Sequence, residues 1–218
     1  MLEDLLSPGD EGWASISTWA VESARTSMVL PVDEQHRDRI LLGLQVTTRS
    51  VLGAVAWHTS GLLVDHGWLR FSGGTGSALP DLLTINEPGL EAGAAPPYLV
   101  IAHDVMGGRF AIDGGSLFGR AGQVAYFAPD TLDWMATEKS HREFLHWAFT
   151  GDVESFYEPF RWPGWEAEVG ATPLDRLIAV YPPLFTREGH NVATSSRRPV
   201  PWRELTSWYD ELAGEPPR

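Results

Sequence analysis

The segment Met106-Gly107-Gly108-Arg109-Phe110-Ala111-Ile112-Asp113-Gly114-Gly115, followed by Gly122-Gln123-Val124-Ala125-Tyr126-Phe127-Ala128-Pro129-Asp130, constrains the fold most. Two short apolar runs rich in β-forming residues are bounded by turn formers, the first by glycines on both sides and the second by Gly122 and Pro129. Such runs are too short for crossover units and too closely spaced for helices between them. They predict neighbouring antiparallel strands at Arg109 to Asp113 and Gln123 to Phe127. Gly107-Gly108 supplies the positive φ that a tight turn needs.

The rest of the chain is read around that centre. Ser7-Pro8-Gly9-Asp10 is a helix start, after which Trp13, Ile16, Ala20 and Ala24 recur at helical spacing. Pro31 closes that region, and Asp33 can cap a second helix bearing Ile40, Leu41 and Leu44. Residues 1–45 are therefore expected to be helical. Val51 to Trp57 and Gly61 to Asp65 read as a hairpin about a His58-Thr59-Ser60-Gly61 turn. In Trp68-Leu69-Arg70-Phe71, alternation puts Trp68 and Arg70 on one face and Leu69 and Phe71 on the other. Residues 72–97 read as one long Gly/Pro/Ser/Ala-rich loop, a length that is unusual unless functional or mobile. Tyr98 to His103 resumes as a buried strand, which completes a sheet region spanning 51–128.

Residues 130–218 are expected to be helical. Asp130 is the N-cap candidate, Phe144, Leu145, Ala148 and Phe149 form one apolar face, and Gly151 stops that helix. Asp152 caps a short helix through Phe156 and Tyr157. An aromatic turn follows at Phe160-Arg161-Trp162-Pro163-Gly164-Trp165-Glu166. The tail from Pro201 is a last helix that docks through Trp202, Leu205, Tyr209 and Leu212. The fold class expected is α+β: a single domain with an antiparallel meander, covered on one face by N-terminal and C-terminal helices.

Composition narrows the function classes. Twenty-nine carboxylates against 16 bases give a net charge of −13. Nucleic acid is disfavoured, because counterion release needs clustered Lys and Arg, and Arg197-Arg198 is the one basic dipeptide. The same excess repels anionic lipid and favours basic protein partners. With no Cys, disulfides, thiolate metal sites and cysteine nucleophiles are excluded. No run approaches the roughly 20 apolar residues of a membrane helix. Met1 to Leu6 has neither the basic nor the apolar part of a secretory signal, so the cytoplasm is the expected address.

Leu44-Gln45-Val46-Thr47-Thr48-Arg49-Ser50 into Gly53, Val64-Asp65-His66-Gly67-Trp68-Leu69-Arg70, Ala125 to Trp134, and Phe160 to Trp165 occur together. In this combination the chain resembles a bacterial family known only as domain of unknown function 2625, over roughly Leu2 to Pro182. That resemblance implies no activity. Gly107-Gly108-Arg109-Phe110-Ala111-Ile112-Asp113, the Gln123 to Phe127 strand and the Phe144-Leu145 helix are also similar to the SMI1/KNR4 superfamily. Many of its members are immunity proteins or interaction modules that neutralise toxins. This second similarity implies an analogous fold and a toxin-immunity-like role, from which the long 72–97 segment departs.

A chemical site can be drawn from His58, Asp65, His66, His103 and Asp104, with His58, His66, His103 and Asp104 as metal ligands. No compact ligand spacing supports it, and neighbours on one strand point to opposite faces. Gly114-Gly115-Ser116-Leu117-Phe118-Gly119 lacks the helix of a nucleophile elbow. Gly73-Gly74-Thr75-Gly76-Ser77 lacks the lysine of a phosphate loop. Asp130 and Asp133 could pair for acid–base work, although helix capping is the simpler role. Trp134, Trp147, Trp162 and Trp165 could form an exposed aromatic platform. The expectation is a non-catalytic module that binds a basic protein without a cofactor, using Asp65, Trp68, Asp130, Asp133, Trp162 and Trp165. A small hydrolase or metal-dependent enzyme is the alternative. Oligomeric state is not legible.

Overall fold

The computed structural model describes residues 1–87, 89–90 and 95–214. A short 3-10 turn (Leu2–Leu5) precedes α1 (Glu11–Glu22), β1 (Ser27–Pro31), α2 (Asp38–Leu44), α3 (Val51–His58), β2 (Thr59–Val64) and β3 (Leu69–Ser72). After the 72–97 segment come β4 (Tyr98–Asp104), β5 (Arg109–Asp113), β6 (Gln123–Ala128), β7 (Asp133–Ser140), α4 (His141–Thr150) and α5 (Val153–Tyr157). The chain ends in α6 (Trp165–Ala171), β8 (Arg176–Tyr181), β9 (Ser196–Pro201) and α7 (Trp202–Ala213).

The α+β class and the meander are both present. Seven strands pair antiparallel in chain order, β1 to β7, and β8–β9 form a separate two-stranded ribbon. Alternate side chains of the sheet enter different clusters. Phe110, Val124 and Tyr126 pack with α1, α3, α4 and α5 on one face. On the other, Phe127 packs with Leu177, Val200, Leu205 and Tyr209 from the ribbon and α7. The expectation of one covered face is thus corrected. All seven residues of β4 are buried, as a strand sandwiched between two layers requires.

Several local readings change. Val51 to Trp57 is helix α3, not a strand. The Ser50 hydroxyl accepts from Gly53 N at 3.0 Å, and Val51 to Ala56 are buried on every side. Small residues permit this: a Cβ at Gly12 would lie 2.8 Å from Ala54 Cβ, where α1 crosses α3. A helix buried all round loses the 3.6-residue period that would distinguish it from a buried strand. The 1–45 region also contains β1, which pairs with β2.

Asp130 does not begin a helix. It sits in the β6–β7 turn, where Leu132 is left-handed (φ 56°) and Leu132 N donates to Ala128 O at 2.8 Å. Asp133 starts β7, so the capping role falls for both aspartates. Helix α4 begins later, at a capping box in which Ser140 N donates to the Glu143 carboxylate at 2.8 Å. Finally, the 130–218 region holds β7, β8 and β9 as well as helices.

Residues 72–97 are not a bare loop where they are described. Residues 84–86 form a 3-10 turn, and Asn86 makes two bonds to the backbone of Val100, each 2.8 Å. Gly73 packs on the Thr59 carbonyl, too tightly for a Cβ and too buried for a phosphate.

Candidate functional site

Asp104 closes β4 and organises the Met106-Gly107-Gly108 turn into β5. One carboxylate oxygen accepts from Met106 N and Gly108 N, each at 2.9 Å, and the other from the Tyr126 hydroxyl at 2.7 Å. A Cβ at Gly108 would lie 2.1 Å from that carboxylate, and one at Gly107 (φ 90°) 2.8 Å from Tyr209. Burial raises the Asp104 carboxyl and the Tyr126 phenol above their ordinary values. The arrangement is saturated and sealed from solvent.

His103 projects to the opposite face. Burial, with Arg109 and Arg70 nearby, pushes its imidazole down to about 3, so it is neutral. Its ring lies 5.9 Å from Trp202. Arg109 beside it pairs with Asp210 of α7 at 2.5 Å, with both side chains buried. Arg70 is buried too, and its guanidinium donates to the carbonyls of Gly67, Pro173, Arg176 and Thr172 at 2.8–3.3 Å. It clamps β3 to the start of the ribbon.

The remaining histidines are scattered. His58 contacts Asp10 at 2.9 Å and stacks on Trp13, while His66 contacts Thr26 at 3.3 Å and the edge of Trp165. Among the described residues no three His, Asp or Glu side chains are grouped to hold a metal ion. The proposed set His58, His66, His103 and Asp104 therefore does not converge.

Four of the six expected binding residues do come together. Trp68 lies 5.7 Å from Trp162 and 5.2 Å from Trp165, and the Arg161 guanidinium sits over Trp165 at 4.2 Å while pairing with Asp65. Trp162 Nε1 donates to Glu168 at 2.7 Å, and Arg197 covers its outer face at 4.5 Å. All three indoles are buried, so this cluster is an internal joint. Trp134, half-buried against Tyr98 and Phe127, and Trp147 lie elsewhere. Asp130 and Asp133 remain at the distant β6–β7 turn.

One open concavity lies where sequence spacing did not suggest it. Between the β8–β9 ribbon and α7 runs a groove of about 610 Å3, floored by Val180, Val200 and Leu205 and flanked by Tyr181, Arg198, Glu204 and Trp208. Tyr181 is 73% exposed and Trp208 38%. Phe185 backs Trp208, with ring centres 5.7 Å apart. Arg197 is held by Glu168 and by the carbonyls of Val192 and Ser195. Neighbouring Arg198 is exposed, with no hydrogen bond or ion pair among the described residues. The one sequence signal for this place was the isolated Arg197-Arg198 pair.

No helix among the described residues is long and apolar enough to cross a membrane. The chain is 34% identical over 186 residues to an uncharacterized protein of Haemophilus influenzae, covering 84% of this chain and 82% of that relative. It is 37% identical over 187 residues to the putative uncharacterized protein YbfG of Escherichia coli, covering 85% and 86%. The family model described as protein of unknown function DUF2625 matches residues 2–205, and the chain belongs to that family.

Proposed function

We propose that the protein is a non-catalytic binding module whose docking surface is the groove between the β8–β9 ribbon and α7. The observation that carries this is the pair Tyr181 and Trp208, large aromatics left open beside an apolar floor. Aromatic and arginine side chains around a concavity are the composition of interface hot spots. Of the groups an enzyme reading would use, His103 and Asp104 are instead locked into the sheet, and His58 and His66 lie apart from them. Arg198 favours a partner segment with an apolar side chain for the groove and a carboxylate for its rim.

A second form of the reading has the whole anionic exterior dock a basic protein, as a toxin-immunity role requires. Its support is the net charge of −13. Salt separates the two forms, because long-range attraction is screened beyond about 8 Å at physiological ionic strength. Proteins captured by the wild type and by a Tyr181→Ala/Trp208→Ala variant are compared at low and high salt. Capture that survives salt and disappears in the variant supports the groove. Equal capture by both proteins, or capture by neither, rejects it. Capture at low salt alone, unaffected by the variant, transfers the role to the acidic exterior.

A further inference from the structure

A second cavity lies on the other side of the sheet, independent of the groove. It measures about 490 Å3, opens to solvent and is lined by β5, β6, β7, α4 and α5. Five rings run around it in a closed circuit of neighbours. Phe110 stacks on Phe144 at 4.4 Å, Phe144 on Trp147 at 5.8 Å, and Trp147 meets Phe156 edge-on at 5.4 Å. Phe156 meets Tyr126 at 5.3 Å, and Tyr126 returns to Phe110 at 4.5 Å. Phe110, Tyr126 and Phe144 are buried and form the floor, while half-exposed Trp147 and Phe156 form the mouth with exposed Met135.

The lone lysine of the chain, Lys139, stands at that mouth. Its ammonium lies 5.9 Å above the Trp147 ring and donates to Thr137 O at 3.3 Å. An irregularity in the edge strand puts it there. Val124 pairs with Lys139 but Ala125 pairs with Ala136, so Thr137 and Glu138 bulge out, and Glu138 is left-handed (φ 56°). A bulge of this kind re-aims the following side chain, and a non-glycine residue held left-handed costs energy that surrounding structure must offset. Two carboxylates are close: Asp152 caps α5, while Glu143 caps α4 and also feels the Lys139 charge. Glu143 accepts from Ser140 N at 2.8 Å and Asp152 from Ser155 N at 3.1 Å. Lys139 makes no ion pair among the described residues and has donors to spare.

A cavity within the 300–1,000 Å3 range, with aromatic walls and a single cation at the rim, matches one ligand class. We infer that this pocket binds a small aromatic monocarboxylate, its ring against Trp147 and Phe156 and its carboxylate on Lys139. An aromatic cage without a lysine would instead favour a quaternary ammonium. Here the ammonium at the mouth repels such a ligand.

The test uses the full-length protein labelled with 13C at its methionine methyls. There are four methionines, and Met135 is the one lining this pocket. Phenylacetate and indole-3-acetate are titrated alongside phenylacetamide and benzyltrimethylammonium. The expected result is a shift of the Met135 methyl, with each acid binding at least about tenfold tighter than the amide, the difference of one charge-assisted hydrogen bond. Lys139→Met, with Lys139→Gln as a second variant, removes that preference and leaves the amide affinity unchanged. Three outcomes overturn the inference: no shift at Met135 with either acid, equal binding of acid and amide, or tighter binding of the ammonium compound. None of them bears on the groove beside α7.

Discussion

The Trp68–Trp162–Trp165 joint and the Tyr181–Trp208 groove are built from the same materials, yet one is closed and the other open. Each combines indoles or a phenol with arginines and an apolar floor. In the joint, every aromatic has a cover. Arg161 lies over Trp165, Arg197 over Trp162, and Asp65 and Glu168 hold the two arginines. In the groove, no element crosses Tyr181, and Arg198 has no carboxylate among the described residues. Residue type therefore does not separate an internal joint from a docking surface. What separates them is whether a neighbouring segment supplies the second layer.

Substitution can break that contrast. Trp68→Ala removes an indole sealed on all sides and is expected to cost about 3–5 kcal/mol in denaturant unfolding. Trp208→Ala is expected to cost far less, and equal losses at the two positions would abolish the distinction. Next in size is Arg109→Met, which removes a buried positive charge paired with Asp210 and loosens α7 from the sheet. The loss expected is about 3 kcal/mol, with recovery in Arg109→Met/Asp210→Leu. Failure of the double variant to recover would mean that the pair does more than neutralise itself.

The third prediction concerns pH. His103 titrates near 3 when folded and near 6.5 when unfolded, so the unfolded chain takes up the proton first. Stability therefore falls as pH drops from about 6.5 toward about 3, by up to about 1.4 kcal/mol per pH unit from this group. Asp104, raised by burial, has the opposite sign, its contribution growing as pH falls. The difference between wild-type and His103→Gln unfolding curves isolates the imidazole, and parallel curves would refute its burial as a neutral ring. The smallest effect is expected at the groove. Tyr181→Ala changes folding stability by about 0.5 kcal/mol or less while removing partner capture.

Legibility in the sequence followed the same division. Strands β4 to β6 and helix α7 were readable because glycines and apolar runs mark them locally. Asp152 and Gly151 were readable as caps for the same reason. Helix α3 was misread because small residues at Gly12, Gly53 and Ala54 let it be buried on all sides, which erases periodicity. Strand β7 was misread because Met135, Ala136, Glu138 and Lys139 suit a helix, and pairing with β6 overrides that preference. The ribbon was missed because prolines at 182, 183, 199 and 201 suggest loop rather than strand. Asp65, Trp68, Trp162 and Trp165 lie together in the fold, but nothing in their local sequence marks their depth. Tyr181 and Trp208 carry no local mark of exposure, since exposure is decided by what fails to pack over them. Leu212, placed by spacing on the docked face of α7, lies exposed for the same reason.

The strand order has one more consequence. A sheet that runs β1 to β7 without closing has two outermost backbones whose amides and carbonyls invite another chain. At one margin the pairing of β1 slips between Leu30 and Pro31, and Pro31 has no amide hydrogen to offer. At the other, the Thr137–Glu138 kink breaks the straight line a foreign strand needs. The irregularity that aims Lys139 thereby also guards the molecule against end-to-end growth into fibres.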